Sequence, residues 1–88
     1  MKYHINDKLI KKLAKIKRKD LELLNQIKKQ LTLFELNENY PSLRNHKLKG
    51  DMGEIWSISV RMNFRLIYFI EDNEAYFFEC GNHDQVYK

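Results

Sequence analysis

At 88 residues, the chain can close one modest core and has no room for a cofactor-binding domain beside a substrate domain. Sixteen Lys and Arg against twelve Asp and Glu leave a net charge of +4, and the single cysteine, Cys80, rules out an internal disulfide and suits a reducing compartment. No apolar run approaches the roughly 18 residues that span a bilayer, and Met1-Lys2-Tyr3-His4 opens no secretory signal, so a soluble cytoplasmic protein with no membrane partner is expected.

The charge is uneven. Residues 1–36 hold ten Lys and Arg against four Asp and Glu, a net of +6, whereas residues 37–88 hold six against eight, a net of −2. A basic field of this kind draws polyanions such as RNA, DNA or a ribosome surface, or else an acidic protein partner.

In chain order, Tyr3-His4-Ile5 is short and apolar at its ends and can form a first strand. Apolar residues then fall at Leu9, Leu13 and Ile16, and again at Leu21, Leu24, Ile27, Leu31 and Phe34, the three-and-four spacing of an amphipathic helix. The register changes at Lys17-Arg18-Lys19-Asp20. With Asp20 as N-cap, the spacing predicts two antiparallel helices and not one rod. Residues 37–43, with Asn39 and Pro41, read as a connecting loop. From Ile55 the period becomes two: Trp56, Ile58 and Val60 alternate with Ser57, Ser59 and Arg61, which predicts a strand with Trp56 in the core. Phe64 to Ile70 and Ala75 to Cys80 are β-branched and aromatic, and the polar turn Glu71-Asp72-Asn73-Glu74 joins them. Cys80, inside that aromatic run, is expected to pack as a small apolar group. Residues 1–88 are thus expected to form a single α+β domain, a helical hairpin packed on a small, mainly antiparallel sheet in the order β-α-α-β-β-β.

No GxGxxG or P-loop pattern cradles a phosphate. The histidines at 4, 46 and 83 are far apart, and neither HExxH nor CxxC occurs, so neither a cofactor nor a metal is expected. The C-terminal half instead carries His46, Arg65 and His83 with the aromatic Tyr87. Two imidazoles can divide the roles of proton acceptor and proton donor, cations can hold a phosphate, and an aromatic ring can stack on a base. That set suits metal-independent RNA cleavage. Arg65 stands out because a permanently charged guanidinium inside Phe64-Arg65-Leu66-Ile67-Tyr68 is costly unless it meets an anion, reaches solvent or pairs with a carboxylate such as Glu54 or Glu79.

The element order, His46-Lys47-Leu48-Lys49-Gly50, Trp56-Ser57-Ile58-Ser59-Val60, Asn63-Phe64-Arg65-Leu66-Ile67-Tyr68 and Gly81-Asn82-His83-Asp84-Gln85-Val86-Tyr87 together resemble the RelE/ParE superfamily of bacterial toxins, nearest the messenger-RNA endonuclease branch that includes YafQ, YoeB and HigB. The resemblance covers nearly the whole chain. It implies a toxin encoded beside a labile antitoxin, cleaving messenger RNA in the ribosomal decoding site, with operator DNA reached only through the antitoxin. By position, His46 matches the proposed general base, His83 the C-terminal proton donor, Tyr87 the final aromatic residue and Arg65 the cation on the scissile phosphate. Lys47, Lys49 and Arg61 are further candidates for substrate phosphates. Two positions depart from the pattern. Ser59 stands where some relatives carry a histidine, and Asn63 where a YafQ-like protein has an aspartate. A ParE-like gyrase poison and a non-catalytic antitoxin-binding module are the alternatives on the same fold.

Overall fold

The computed structural model describes residues 1–48 and 54–82. Asn6 starts the first helix by accepting the Leu9 N–H at 2.8 Å, and α1 then runs over Asp7–Lys19. Asp20 does the same for Leu23 at 3.0 Å, opening α2 over Leu21–Leu36, and its own N–H donates to the Ile16 carbonyl. One residue therefore closes one helix and opens the next, as its position between the two apolar registers predicts. Its carboxyl is held below the usual aspartate range by the Leu23 N–H, and Arg61 adds a hydrogen bond and a nearby charge.

The strands are β1 (Tyr3–Ile5), β2 (His46–Lys47), β3 (Ile55–Arg61), β4 (Phe64–Glu71) and β5 (Glu74–Asn82), in the spatial order β1-β5-β4-β3-β2. All neighbours are antiparallel except β1 and β5. The α+β class and the helical hairpin are as expected. The sheet, however, has five strands where β-α-α-β-β-β has four. The added β2 is two residues long, too short to show a period, and exists only because His46 and Lys47 pair with Ser57 and Trp56. Pro41–Leu43, within the expected loop, makes one turn of 3-10 helix.

Two-residue turns set the sheet register. Asp72 and Asn73, at φ 52° and 64°, link β4 to β5 with Glu71 opposite Glu74, a mirror-image turn that residues of their type tolerate and that matches strand twist. Midway along β4 the β4–β5 ladder slips by one residue between Ile67 and Tyr68.

The core lies between the hairpin and one face of the sheet. Leu9, Ile27, Leu31 and Phe34 from the helices meet Ile58, Leu66, Tyr68 and Phe77 from the strands. Phe34 sits edge-on to Tyr68 and Phe77 at centroid distances of 5.1 and 5.2 Å, an arrangement the ring quadrupoles favour. Cys80 is buried in this cluster, and burial pushes its thiol up to about 11, in keeping with a packing role. Trp56 is partly buried against the same cluster. Gln30 fastens α2 to the sheet, its amide donating to the Ser59 carbonyl at 2.8 Å and to the Ser42 carbonyl at 3.3 Å. On the other side of the sheet His4 stacks on Tyr76 at 4.6 Å and donates to Glu74 at 2.6 Å, which ties β1 to β5.

Candidate active site

The face of the sheet turned away from the helices carries the candidate site. Trp56, Ile58 and Val60 point to the core, so alternation along β3 turns Ser57 and Ser59 the other way. Directly opposed residues of an antiparallel pair project to the same side. His46 is opposite Ser57, and Arg65 is opposite Ser59 and Gly81. His46, Ser57, Ser59 and Arg65 therefore share one face across three strands.

Ser57 is the junction. It is fully buried, and the Arg65 Nη1 donates to its Oγ at 3.3 Å. Among the described residues no carboxylate lies within ion-pair distance of Arg65. The two acids that could have neutralised it are otherwise engaged: Glu54 lies 3.7 Å from Lys47, and Glu79 takes Lys12 at 2.8 Å with Lys8 at 3.7 Å. Burial would raise the Glu79 carboxyl, but the Lys12 hydrogen bond, the Cys80 N–H and the two lysine charges outweigh it and hold the group below the usual range. Arg65 thus keeps its charge uncompensated by these acids, its guanidinium oriented by a neutral hydroxyl.

The exposed His46 has a defined ring orientation. Its Nδ1 lies 3.0 Å from the Arg44 carbonyl, and a carbonyl can only accept, so Nδ1 carries the hydrogen and the neutral ring presents its lone pair at Nε2. Arg44 itself sits in the left-handed region at φ 45° and ψ 47°, at the end of the 3-10 turn. The next residue, Asn45, accepts from the Tyr68 hydroxyl at 2.6 Å and donates to the Glu38 carbonyl at 3.1 Å.

The remaining expected site residues are distributed differently. Lys47 follows His46 in β2, opposite Trp56, so it turns to the helix side. Arg61 ends β3 and reaches back to the helical turn, 3.3 Å from Asp20 and 3.4 Å from Gln26. Lys49, His83 and Tyr87 lie outside the described residues. Ser57, Asn45 and Tyr68 were not singled out from the sequence. Ser57 carries a partial signal, being a small hydroxyl on the polar phase of a core strand. Nothing local marks Asn45 or Tyr68, because their bond spans 23 positions.

The family model for YafQ, a bacterial toxin of type II toxin–antitoxin systems, matches residues 1–88. The chain belongs to the YafQ toxin family. No curated protein sequence matches it. Among solved structures it is similar to the YoeB/ParE toxin from Agrobacterium tumefaciens, with 19% identity, a TM-score of 0.78 and coverage of 94% of this chain and 99% of that one. YafQ from Escherichia coli strain BL21(DE3) gives 19% identity, a TM-score of 0.75 and coverage of 98% and 97%. The E. coli DinJ–YafQ toxin–antitoxin complex gives 21%, 0.71, 98% and 96%. At these identities the structural likeness is one of fold.

Within the YafQ family frame, the two departures noted in the sequence acquire places. Ser59 stands opposite Arg65, where a small side chain leaves the guanidinium room to reach Ser57. Asn63 occupies the β3–β4 turn at φ 64°, a left-handed conformation that asparagine adopts more readily than most residues.

Proposed function

We propose that this toxin is a ribosome-dependent, metal-independent endoribonuclease. The family's toxins cleave messenger RNA, and the observation that carries the reading for this chain is the shared face on which Arg65, unopposed by Glu54 or Glu79, stands across the intervening strand β3 from His46 with its Nε2 lone pair available. In this reading Nε2 of His46 takes the proton from a ribose 2′-hydroxyl, and the 2′-oxygen attacks the adjacent phosphorus. Arg65 binds the scissile phosphate and stabilises the negative charge that builds on its oxygens. His83 gives a proton to the departing 5′-oxygen while Tyr87 stacks on a base; both roles come from the family resemblance. The products are a 2′,3′-cyclic phosphate and a 5′-hydroxyl end.

The partner that silences the toxin is, in this proposal, an acidic antitoxin segment laid on the hairpin. A groove of about 490 Å³ runs between α1, α2 and β1, with Ile10, Leu13 and Leu31 in its wall and Lys17 and Lys28 among its lining residues. An amphipathic segment with carboxylates on its polar side fits apolar walls bordered by lysines.

Expression of the toxin alone, followed by mapping of messenger-RNA ends on translating ribosomes beside a gyrase supercoiling assay, tests the reading. Cuts in translated messages with unchanged supercoiling are expected. Intact messages with lost supercoiling would transfer the protein to the gyrase-poison class.

A further inference from the structure

We propose that Asn45 and Tyr68 form a positioning pair that holds the imidazole of His46 over the sheet. The proposal rests on the reading of His46 as proton acceptor and extends it to residues that touch no substrate. The site has an asymmetry that calls for such a device. Arg65 belongs to a central strand, hydrogen-bonded on both sides, whereas His46 opens a two-residue edge strand that only β3 supports. A ring on so short an edge needs a second anchor if it is to keep one orientation.

Tyr68 supplies that anchor from the buried core. Its ring is 1% exposed, sits 5.1 Å from Phe34 and 4.9 Å from Phe77, and its hydroxyl donates to the Asn45 Oδ1 at 2.6 Å. The Asn45 amide spends its other end on the Glu38 carbonyl at 3.1 Å, so the side chain is held from two directions. Asn45 stands between Arg44 and His46, and the carbonyl of Arg44 is the group that fixes Nδ1 of the imidazole at 3.0 Å. The buried Leu43 closes the preceding turn. Core, Tyr68, Asn45, the 44–46 backbone and His46 thus form one continuous chain of contacts. The proton-accepting nitrogen inherits its position from the core and not from the surface strand that carries it.

Breaking the chain should misplace the ring without removing it. A displacement of about 1 Å in a reacting group costs on the order of 100-fold in rate, so Asn45→Ala and Tyr68→Phe should each lower kcat on translated messenger RNA by about 10- to 100-fold, with KM held within about 2-fold. Because both variants cut the same bond, the double variant should be no slower than the worse single one. In a His46→Ala background neither should slow the reaction further. The direct readout is the NMR titration of the histidine rings. Both substitutions should move the His46 signals and leave those of His4, on β1, unchanged, whereas general loosening of the fold would move both. Circular dichroism confirms folding of each variant.

Wild-type rates in both variants with unmoved His46 signals would overturn the proposal, and so would an equal slowing in the presence and absence of His46. The outcomes separate it from the catalytic reading. If His46→Ala cuts at the wild-type rate while Asn45→Ala still shifts the His46 ring, the positioning stands and the catalytic role falls. If His46→Ala is inactive and the other two variants are silent, the reverse holds.

Discussion

The two faces of the sheet divide most of the charge from the proposed chemistry. The helical face carries most of the positive charge, and several of its cations are already committed: Lys12 holds Glu79, Lys8 lies near the same acid, and Arg61 reaches back from the sheet to Asp20. On the opposite face Arg65 is held by a serine and, among the described residues, is paired with neither Glu54 nor Glu79. A dense basic surface attracts polyanions at long range and is screened by salt, whereas a reaction needs one cation at a fixed place. Net charge therefore marks the side proposed for an acidic partner and not the side proposed for cleavage. Lys12 also shows that the basic hairpin is no passive surface, since its Nζ donates to both Glu79 and the Cys80 carbonyl and so fastens α1 to β5.

The largest effects are expected at His46 and Arg65, the side chains proposed to act in cleavage. His46→Ala should lose about 100- to 10,000-fold in cleavage rate, the usual range for a positioned acid or base. Arg65→Ala should lose about 100-fold or more, equivalent to roughly 2.7–4 kcal/mol of transition-state stabilisation. Both should leave antitoxin affinity unchanged, and titration of each variant with antitoxin checks that separation. A smaller and opposite result is expected on the helical face. Lys17→Glu with Lys28→Glu should weaken antitoxin binding about 10-fold or more, through lost charge complementarity, with cleavage by the free toxin unaltered. If this pair slowed cleavage as strongly as Arg65→Ala, the division between the faces would not hold.

The smallest effect concerns acid stability. Glu79 has a folded-state value below its ordinary 4.5, so the unfolded chain binds a proton there first. Its contribution is present at neutral pH, declines as pH falls below about 4.5 and is lost as pH passes through the depressed folded value. Glu74, lowered chiefly by the His4 hydrogen bond, behaves in the same sense. Glu79→Gln should lower the melting temperature by a few degrees at neutral pH, and the difference from wild type should shrink on acidification. A constant difference between about pH 3 and pH 7 would assign the loss to packing and not to the ion pairs.

Much of this architecture is legible in the sequence, and the gaps have a physical pattern. The helices announce themselves because Leu9 to Phe34 repeats at helical spacing, and Asp20 punctuates them because a short carboxylate can satisfy free N–H groups at a helix start. The strands Ile55–Arg61, Phe64–Glu71 and Glu74–Asn82 are visible in alternation and in β-branched and aromatic content. His46–Lys47 is invisible as a strand because two residues define no period. Arg65 is conspicuous as a charge in an apolar run, but its partner is settled by which strands become neighbours, and Ser57 lies eight positions away. Asn45 is less legible still, since its meaning depends on a hydroxyl that a local reading assigns to the core.

The parallel pairing of β1 with β5 has a consequence for the order in which the molecule becomes complete. β2 to β5 are joined in sequence to their sheet neighbours and can assemble through short closures, whereas Tyr3 meets Ala75 across 72 positions, and an encounter at that separation carries a larger entropic toll. The helical hairpin is synthesised long before the strands it must cover, and its apolar side waits for them. Docking of β1, with the His4–Glu74 contact that secures it, should therefore be a late event. Substitution of Ile5 by Val should speed unfolding and barely touch the folding rate, and a matching slowdown of folding would move β1 into the nucleus. A toxin built this way holds little of its native sheet until its fifth strand has emerged.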